Sequence, residues 1–555
     1  MADTVVGGLA REDAKTTPMG VVVAASCSGT AFEWYDFFIF GSLIQIISKN
    51  FFAELGATAG LIAALALFGV GFAFRPLGAL IFGGLGDRIG RKAAFLITVT
   101  MMGGSTFAIG LLPTFAQVGE IAPLLLVLLR MVQGAALGGQ YGGAAIYVAE
   151  HAPVGRRGYL TGWVQSSAAF GLVGALCVIF AVRKLTGEAA FTDWGWRVPF
   201  FVSVGLVAIS VWMRMRLSES PAFQKLKDAD EHTKAPYADA FGRWSNLKLV
   251  LIAFFGLMSA QGAYWYTVFF YSEVFLEKFL KVDGPSANLM ILLAALASAP
   301  LYIFFGWLSD RVGRKWVMWF GMTLGAVTLF PGFHLLSQAA NPALVRAAAR
   351  TPIVIVADPA ACDVQFDPTG RAHFVTSCDI ARAAVANAGV SYASRAGAPG
   401  SAAVVQVGSA SVAAPDGRGL AGPALKAATA GFAARLGAAL TQAGYPAAAA
   451  PAQRDTPLIL AVLLVFTIAA TALYGPMAAA LAELFPTKVR YTALSLPYHL
   501  GAGWIGGFQP VASFAIVVAT GNIYAGLWYP VAFTAVSVLA SILFLPETRD
   551  RPLDA

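Results

Sequence analysis

Apolar runs of about 20 residues or more recur along the whole chain, and this recurrence constrains its fold more than any other feature. A membrane-spanning helix needs about 20 mostly apolar residues, because the hydrocarbon core of a bilayer is about 30 Å thick. Only 12% of the 555 residues are charged, against about a quarter in ordinary soluble proteins. We therefore predict an all-α membrane protein with twelve spanning helices, at about 19–47, 57–82, 93–113, 121–149, 158–183, 197–216, 247–276, 286–309, 316–336, 457–482, 492–519 and 523–545.

The basic residues are distributed unequally between the two sets of loops that these helices define. The loops on the side of the chain termini hold 21 Lys and Arg residues, and the opposite short loops hold 6. Because Lys and Arg accumulate in cytoplasmic loops, we expect a multi-pass protein of the cell inner membrane with both termini in the cytoplasm. The net charge of +8 has the same explanation, so no nucleic-acid partner is expected.

Two motifs each occur twice, in the same order. Asp-Arg-(Ile/Val)-Gly-Arg-Lys occupies 87–92 and 310–315, and Glu-x-x-Pro-x-x-x-Arg occupies 150–157 and 483–490. Repeated motifs in one order indicate a duplicated chain. The predicted parts are a six-helix half at 1–216, a cytoplasmic central loop at 217–246, helices seven to nine at 247–336, an insertion at 337–456, and helices ten to twelve with a cytoplasmic tail at 457–555.

The predicted insertion at 337–456 differs in composition from the rest of the chain. It is rich in Ala, Gly and Pro, with strand-like runs at Ile353–Ala357 and Ala403–Gly408 and helix-like runs near 378–388 and 420–443. This pattern favours a small α/β domain over disorder, and the topology places it outside the cytoplasm. Cys362 and Cys378 flank a turn-rich stretch there, so we predict that they form a disulfide in an oxidising compartment.

With these motifs the chain resembles the major facilitator superfamily, and within it the metabolite:proton symporter branch. The resemblance covers everything except the tails and the insertion, and it rests on the repeated loop motif and on the stretches 32–37, 75–78, 130–143, 218–221 and 485–492. It implies a monomeric secondary transporter whose two halves face each other across a cavity, with protons and a small molecule as its partners. No cofactor or metal is expected, and no enzymatic motif is present in the sequence.

Four ionisable side chains of the first half fall at lipid depth, away from the ends of the predicted spans: Glu33, Asp36, Arg75 and Arg130. Such groups cost roughly 2.5–3.5 kcal/mol each on insertion scales and are functional candidates by default. Glu33 and Asp36 are three residues apart, so they share one helix face. Either carboxyl is a candidate for proton coupling, and the sequence does not decide between them.

Arginine presents a planar fork suited to carboxylates, so Arg75 and Arg130 favour an anionic substrate. The alternative is that both arginines form internal ion pairs with Glu33 and Asp36. The other candidates for the cavity wall are polar or aromatic residues on the same helices and on the second half, and His499 departs from the amide-type residue expected in the symporter branch. These candidates are Gln133, Tyr35, Tyr141, Gln261, Tyr264, Tyr498 and His499.

The charged residues of the repeated motifs are predicted to form a cytoplasmic gate. Opposite charges at helix ends are able to close one side of a transporter in one state and separate in the other, although basic residues there also serve as topology signals. The predicted gate consists of Asp87, Arg88, Arg91, Glu150, Arg157, Asp310, Arg311, Arg314, Glu483 and Arg490.

The leading hypothesis is proton-coupled symport of a small organic acid of the mono-, di- or tricarboxylate class by alternating access. Two alternatives stay open: a symporter for a compatible solute such as betaine or proline, and a ligand sensor that uses the same fold without net transport. Accumulation of solute against a gradient separates the transporters from the sensor.

Overall fold

The computed structural model describes residues 18–52, 56–216, 219–363, 375–420 and 422–553. Short helices at Ile44–Phe51, Phe115–Val118, Glu188–Asp193, Pro221–Asp228 and Pro236–Phe241 lie in the connections. The longer helices are α1 (Met19–Ser42), α2 (Gly56–Ile89), α3 (Arg91–Leu111), α4 (Ile121–His151), α5 (Arg157–Thr186), α6 (Val198–Met215), α7 (Trp244–Phe279), α8 (Gly284–Val312), α9 (Arg314–Ala340), α10 (Pro342–Arg350), α11 (Ser377–Asn387), α12 (Gly422–Gln442), α13 (Thr456–Leu484), α14 (Thr487–Thr520) and α15 (Ala525–Phe544).

Within the described residues, eleven helices are long and apolar enough to cross a membrane, namely α2–α9 and α13–α15. The prediction of a mostly helical membrane protein is therefore confirmed, whereas the count is one fewer than the twelve predicted. The helix missing from this count is α1. It is a continuous helix of 24 residues, but Glu33, Trp34, Tyr35 and Asp36 interrupt its apolar sequence. Its length suits a span, and its polar residues lower its mean hydropathy.

Glycines allow the closest helix crossings. On α4, Gly134 and Gly138 face α2, and a Cβ added to Gly138 would lie 2.2 Å from the carbonyl oxygen of Arg75. Between the two halves, Gly158 of α5 and Gly306 of α8 face each other, and a Cβ on either would lie 2.3 Å from the carbonyl oxygen of the other. Small residues let membrane helices approach in this way.

The repeated motif forms the same turn in both halves. Gly90 connects α2 to α3 with φ 114° and ψ 154°, and Gly313 connects α8 to α9 with φ 115° and ψ 149°. This backbone region is essentially restricted to glycine. An added Cβ would also lie 2.3 Å from Oε2 of Glu219 at Gly90, and 2.6 Å from Oε2 of Glu547 at Gly313.

We expect Gly313→Ala to lower the melting temperature of the purified protein, because the strained backbone costs about 1–3 kcal/mol and Glu547 is displaced. Gly104→Ala is the matched control: Gly104 lies within α3 and an added Cβ would meet nothing within 4 Å, so its melting temperature should stay the same or rise slightly. Equal melting temperatures for the two variants would show that the turn relaxes without cost.

In the part of the chain that the structure describes, two helices contain π-helical turns. In α7 these turns are Phe254–Met258, Thr267–Tyr271 and Phe275–Phe279, and in α14 the turn is Leu500–Gly506. Such turns often occur at functional sites. Two of them directly follow residues of the cavity described below, Tyr266 and His499, so they set the position of the second half's contribution to that cavity.

Between α9 and α13 the chain forms a small α/β unit. Its four-stranded sheet has the order β2-β1-β3-β4, in which β1 and β2 are parallel and the other pairs are antiparallel. The strands are β1 (Ile353–Ala357), β2 (Tyr392–Ala396), β3 (Val404–Val407) and β4 (Ala410–Ala413). The sequence predicted β1 and β3, but β2 and β4 are too exposed to show an apolar pattern. The structure joins Cys362 to Cys378 by a disulfide at the start of α11.

The α/β unit rests on connections of the second half. The main-chain N–H of Tyr392 donates to the carbonyl oxygen of Gly521 at 2.7 Å, and Arg454 contacts the Asp283 carboxylate at 2.8 Å. Hydrogen bonds from Ser286, together with Arg454, hold the pKa of Asp283 below its ordinary value. The carboxylate therefore stays ionised near neutral pH, and the contact with Arg454 persists.

Candidate functional site

A central cavity lies between the two halves. Six of the eleven residues predicted for proton coupling and substrate binding line it. The lining residues are Thr30, Glu33, Trp34, Phe37, Arg75, Leu137, Tyr141, Gln261, Trp265, Tyr266, Tyr474, Tyr498, His499 and Ala502.

Four polar side chains of the cavity have buried atoms without a hydrogen-bond partner among the described residues. These atoms are Oε1 of Glu33, Nε of Arg75, Oε1 of Gln261 and both ring nitrogens of His499. Leaving a buried donor or acceptor unpaired costs about 1–3 kcal/mol, and such groups in native structures need an explanation. All four side chains line the same cavity, two from each half, so that a polar ligand placed there is able to pair with them.

Arg75 of α2 is the cation of this cavity. Its guanidinium lies over the ring of Phe72 at 4.4 Å and contacts the Tyr266 side chain. Among the described residues, no carboxylate lies within 4.0 Å of it. The alternative that Arg75 forms an internal ion pair with Glu33 or Asp36 therefore does not describe this structure, and its charge is available to a ligand.

Glu33 pairs with Arg214, one of the 21 basic residues that were counted above as lying in loops on the side of the chain termini. Nη2 of Arg214 lies 3.9 Å from Oε1 of Glu33, and the Arg214 side chain is 1% exposed. Counting Arg214 among the loop charges was wrong, because its side chain turns back from the end of α6 into the first half. The sequence already indicated this, because position 214 lies inside the apolar run predicted at 197–216 and not in a loop.

Asp36 lies behind the cavity wall, on the side of the first half's interior. It sits beside Thr106, whose hydroxyl accepts a hydrogen bond from Gln133 at 2.7 Å. Arg130 in turn donates to Gln133 at 2.9 Å. This hydrogen-bonded chain joins Asp36 to Arg130, and it places the predicted residues Arg130 and Gln133 one layer away from the cavity.

The walls of the cavity are aromatic. Tyr141 and Tyr498, from opposite halves, stack with their ring centroids 3.7 Å apart, and the hydroxyls of Tyr498 and Tyr474 lie 2.5 Å apart. Trp34 and Trp265 approach each other across the halves at 6.0 Å. Trp34, Phe37 and Tyr474 were not predicted as lining residues, because an aromatic side chain in a spanning helix is as common in packing as at a binding site.

Two further predictions for the cavity are corrected by the structure. The Tyr35 hydroxyl donates to the carbonyl oxygen of Pro199 at 3.0 Å, and the Tyr264 hydroxyl donates to that of Phe466 at 3.4 Å. Both side chains are buried within their own half. Each is one helical position away from a lining residue, Trp34 or Trp265, and this small rotation decides which side chain reaches the cavity.

Eight of the ten predicted gate residues meet at one end of the bundle, in an arrangement that we call the latch. In each half the motif aspartate caps a helix of the other half, where exposed N–H groups favour an anion. Asp87 accepts from the main-chain N–H groups of Tyr491 and Thr492 at 3.3 and 2.8 Å, and Asp310 accepts from those of Gly158 and Tyr159 at 2.9 and 2.7 Å.

Buried ion pairs complete the latch with the same symmetry. One glutamate of each repeated motif lies between two arginines, one from each half, and all six side chains are buried. Glu150 lies 2.6 Å from Arg490 and 3.9 Å from Arg91, while Glu483 lies 3.1 Å from Arg314 and 3.5 Å from Arg157. This end of the molecule is therefore closed in the structure.

Arg88 and Arg311 do not join the latch, and their assignment to the gate was wrong. Both side chains are exposed, and Arg311 lies over the Trp307 ring at 4.1 Å. The arginines four residues after the motif aspartates do join: Arg91 lies 3.3 Å from Asp87 and Arg314 lies 2.7 Å from Asp310, each pair across its glycine turn.

Sequence comparison identifies the family. The model described as "Sugar (and other) transporter" matches residues 21–240 and 426–555, more than half of the chain, and the model described as "Major Facilitator Superfamily" matches residues 253–351. This chain belongs to the major facilitator superfamily. The resemblance predicted from the sequence motifs is thereby confirmed.

Several curated members of the superfamily are similar in sequence. The proline/betaine transporter of Escherichia coli (strain K12) is 35% identical over 325 residues, which cover 57% of this chain and 64% of that protein. The shikimate transporter of the same strain is 36% identical over 324 residues, covering 56% and 71%. The ectoine/proline transporter ProP of Corynebacterium glutamicum is 34% identical over 320 residues, covering 56% and 64%.

Solved structures of the superfamily share the fold. The proton:xylose symporter XylE bound to 6-bromo-6-deoxy-D-glucose aligns with a TM-score of 0.62 at 16% identity, over 97% of this chain and 98% of that one. XylE from E. coli in an inward-open conformation aligns with a TM-score of 0.50 at 16% identity. That alignment covers 97% of this chain and 98% of the XylE chain. Neither superfamily model matches residues 352–425, which contain all four described strands.

Proposed function

We propose that the chain couples the inward movement of a proton to that of a small carboxylate-bearing solute by alternating access. The observation that carries the proposal is the central cavity, in which Arg75 and Glu33 face the same space between two halves that are latched at one end. A buried arginine provides a fixed site for a carboxylate. A buried glutamate provides a group that takes up and releases a proton.

The proposal includes an orientation in the inner membrane. In it, α1 is a twelfth span, both termini and the latch are cytoplasmic, and the α/β unit after α9 lies outside the cytoplasm. The predicted loop charges support this orientation. The two halves then rock about a fixed central site, as in other transporters built from repeats, and the protein acts as a monomer.

The cavity residues take distinct roles in this proposal. Arg75 binds the carboxylate of the solute, with His499 and Gln261 as further hydrogen-bonding partners. Glu33 carries the proton, because it lies on the cavity wall, whereas Asp36 lies behind that wall next to Thr106. The latch closes the cytoplasmic side in the state seen here and separates when the inner side opens.

A second candidate is a zwitterionic compatible solute of the betaine or proline type. The aromatic walls favour it, because aromatic faces attract quaternary and substituted ammonium groups. In this case the carboxylate of the solute binds Arg75 and its cation lies among Trp34, Trp265 and Tyr498. Three of the similar transporters are named for proline, betaine or ectoine, and one is named for shikimate.

Reconstitution in liposomes tests the proposed function. Labelled carboxylic acids, glycine betaine and proline are offered with and without an imposed inward proton gradient, and xylose serves as the neutral control. We expect gradient-dependent accumulation of at least one carboxylate-bearing solute, abolished by a protonophore, and no accumulation of xylose. Binding without accumulation for every solute would favour the sensor. Accumulation confined to glycine betaine and proline would favour the second candidate.

A further inference from the structure

Tyr491 occupies a socket made of glycines from the opposite half. Its ring, in the first turn of α14, is fully buried. A Cβ added to Gly86 of α2 would lie 2.0 Å from the ring, one on Gly142 of α4 would lie 2.9 Å from it, and one on Gly143 would lie 2.7 Å from the hydroxyl. We call Gly86, Gly142 and Gly143 the glycine socket; it belongs to the first half, and Tyr491 of the second half fills it in the closed structure.

Two hydrogen bonds hold Tyr491 in this socket. Its hydroxyl donates to the carbonyl oxygen of Gly139, and its main-chain N–H donates to Asp87 of the latch. The side chain is therefore attached to the latch at its backbone and to the first half at its tip. A movement of α14 away from α2 and α4 breaks both bonds and empties the socket.

A short path connects the socket to the cavity. The guanidinium of Arg214 lies over the ring of Phe95 at 3.4 Å and would lie 1.7 Å from a Cβ on Gly29. Phe95 in turn borders Gly143, because a Cβ there would lie 3.0 Å from its ring. Arg214 is paired with Glu33 on the cavity wall, and Tyr491 lies within electrostatic range of both charges.

We propose that Tyr491 is the positioning residue that transmits the protonation state of Glu33 to the cytoplasmic latch. The inference rests on the proposed function. While Glu33 is ionised, Arg214 stays paired beneath the cavity and Tyr491 stays in the glycine socket. When Glu33 is protonated, Arg214 becomes an unpaired buried charge, which is strongly unfavourable. Separation of the latch end admits water to Arg214, and Tyr491 leaves the socket.

The direction of this effect agrees with symport. A proton that enters from the outer side reaches Glu33 through the cavity, and its binding favours opening to the cytoplasm. The charged and titratable groups around Glu33 are Asp36 on α1, Arg75 on α2, Tyr141 on α4, Arg214 on α6, and Tyr491 and His499 on α14. Arg214 is the described cation that forms an ion pair with it, so the loss of this pair is the event that protonation causes.

A cysteine reporter tests the inference without any transport measurement. Ser495→Cys is introduced in a background with Cys27→Ser and Cys177→Ser. Ser495 is buried, faces Gly142 across the closed interface, and has no hydrogen-bond partner for its hydroxyl among the described residues. A polar maleimide is applied to the purified protein in detergent, and the labelling rate reports how often the latch end is open.

We expect slow labelling of the reporter alone at pH 8 and, once the rate at each pH is divided by that of a free thiol, faster labelling as the pH falls, because only the thiolate reacts. Gly143→Ala, which displaces the Tyr491 hydroxyl, should raise the rate at pH 8 by about tenfold, and Glu33→Gln should do the same. Gly104→Ala, the open-space control on α3, should leave the rate unchanged. Tyr491→Phe, which loses only the hydrogen bond to Gly139, should give an intermediate labelling rate. This variant keeps the ring in the socket, so it provides the measurement if Tyr491→Ala does not fold.

The decisive comparison is the double variant. If Tyr491 transmits the signal, Glu33→Gln adds little to the labelling rate in a Tyr491→Ala or Tyr491→Phe background, because contributions along one pathway are not additive. Full additivity, or no effect of Glu33→Gln on the reporter while Glu150→Gln opens the latch, would overturn the inference. The proposed function fails separately, through absent accumulation in liposomes, whatever the labelling shows.

Discussion

Glu33→Gln is expected to abolish accumulation of solute against its gradient while counterflow exchange persists. The amide cannot release a proton, so the solute crosses the membrane without the driving force of the proton gradient. Glutamine keeps the size of the side chain and its place on the cavity wall beside Arg214. The measurement is uptake into liposomes with an imposed pH gradient, compared with exchange of labelled for unlabelled solute in its absence.

Asp36→Asn is the matched control, because Asp36 lies three residues away on the same helix but behind the cavity wall. We expect it to retain part of the gradient-driven accumulation. The opposite pattern, with coupling lost in Asp36→Asn and kept in Glu33→Gln, would assign the proton to Asp36 and to its hydrogen-bonded chain through Thr106 and Gln133 to Arg130. Glu33→Asp separates loss of the proton site from the cost of leaving Arg214 unpaired, which is about 3–5 kcal/mol for a broken buried pair.

The features that the sequence predicts are those that depend on the spacing of residues close together in the chain. Two copies of one motif give two turns with the same backbone, at Gly90 and Gly313, and the four-residue spacing from Asp87 to Arg91 places both in one latch. Apolar runs predict the helices to within a few residues, since burial in lipid requires length and hydrophobicity alone. In the α/β unit, strand β1 was predicted with its observed bounds because it is a continuous apolar run, mostly of β-branched residues, between Pro352 and Asp358.

The parts that the sequence does not predict depend on contacts between distant helices. Arg214 sits at the end of α6, where a basic residue ordinarily points to the cytoplasm, and only the packing of α1 and α3 around it shows that its side chain turns inward. The position of Tyr491 in the glycine socket is not predictable from the sequence either, because the glycines of the socket belong to two other helices. Rotation of a helix by one residue separates Trp34, which lines the cavity, from Tyr35, which does not.

Arg75→Ala is expected to weaken solute binding by about 100-fold or more. Removing one member of a buried charge pair costs about 2–5 kcal/mol, and among the described residues no carboxylate of the protein lies within 4.0 Å to compensate the guanidinium in the absence of a solute. Arg75→Lys should recover only part of the affinity, because an ammonium group lacks the planar fork that binds both oxygens of a carboxylate. Binding is measured by calorimetry in detergent and by the apparent KM for uptake.

Arg88→Ala is the matched control for Arg75→Ala, because Arg88 lies on the same helix with an exposed side chain, and binding should not change. The pair of variants also separates the two substrate classes. An organic acid loses its main anchor in Arg75→Ala, whereas a betaine-type solute keeps the aromatic contacts of its cation with Trp34 and Trp265, worth about 0.5–2 kcal/mol each, and should lose less affinity. Unchanged binding of every carboxylate in Arg75→Ala would remove Arg75 from the substrate site and, with it, the observation on which the assignment of a carboxylate-bearing solute depends.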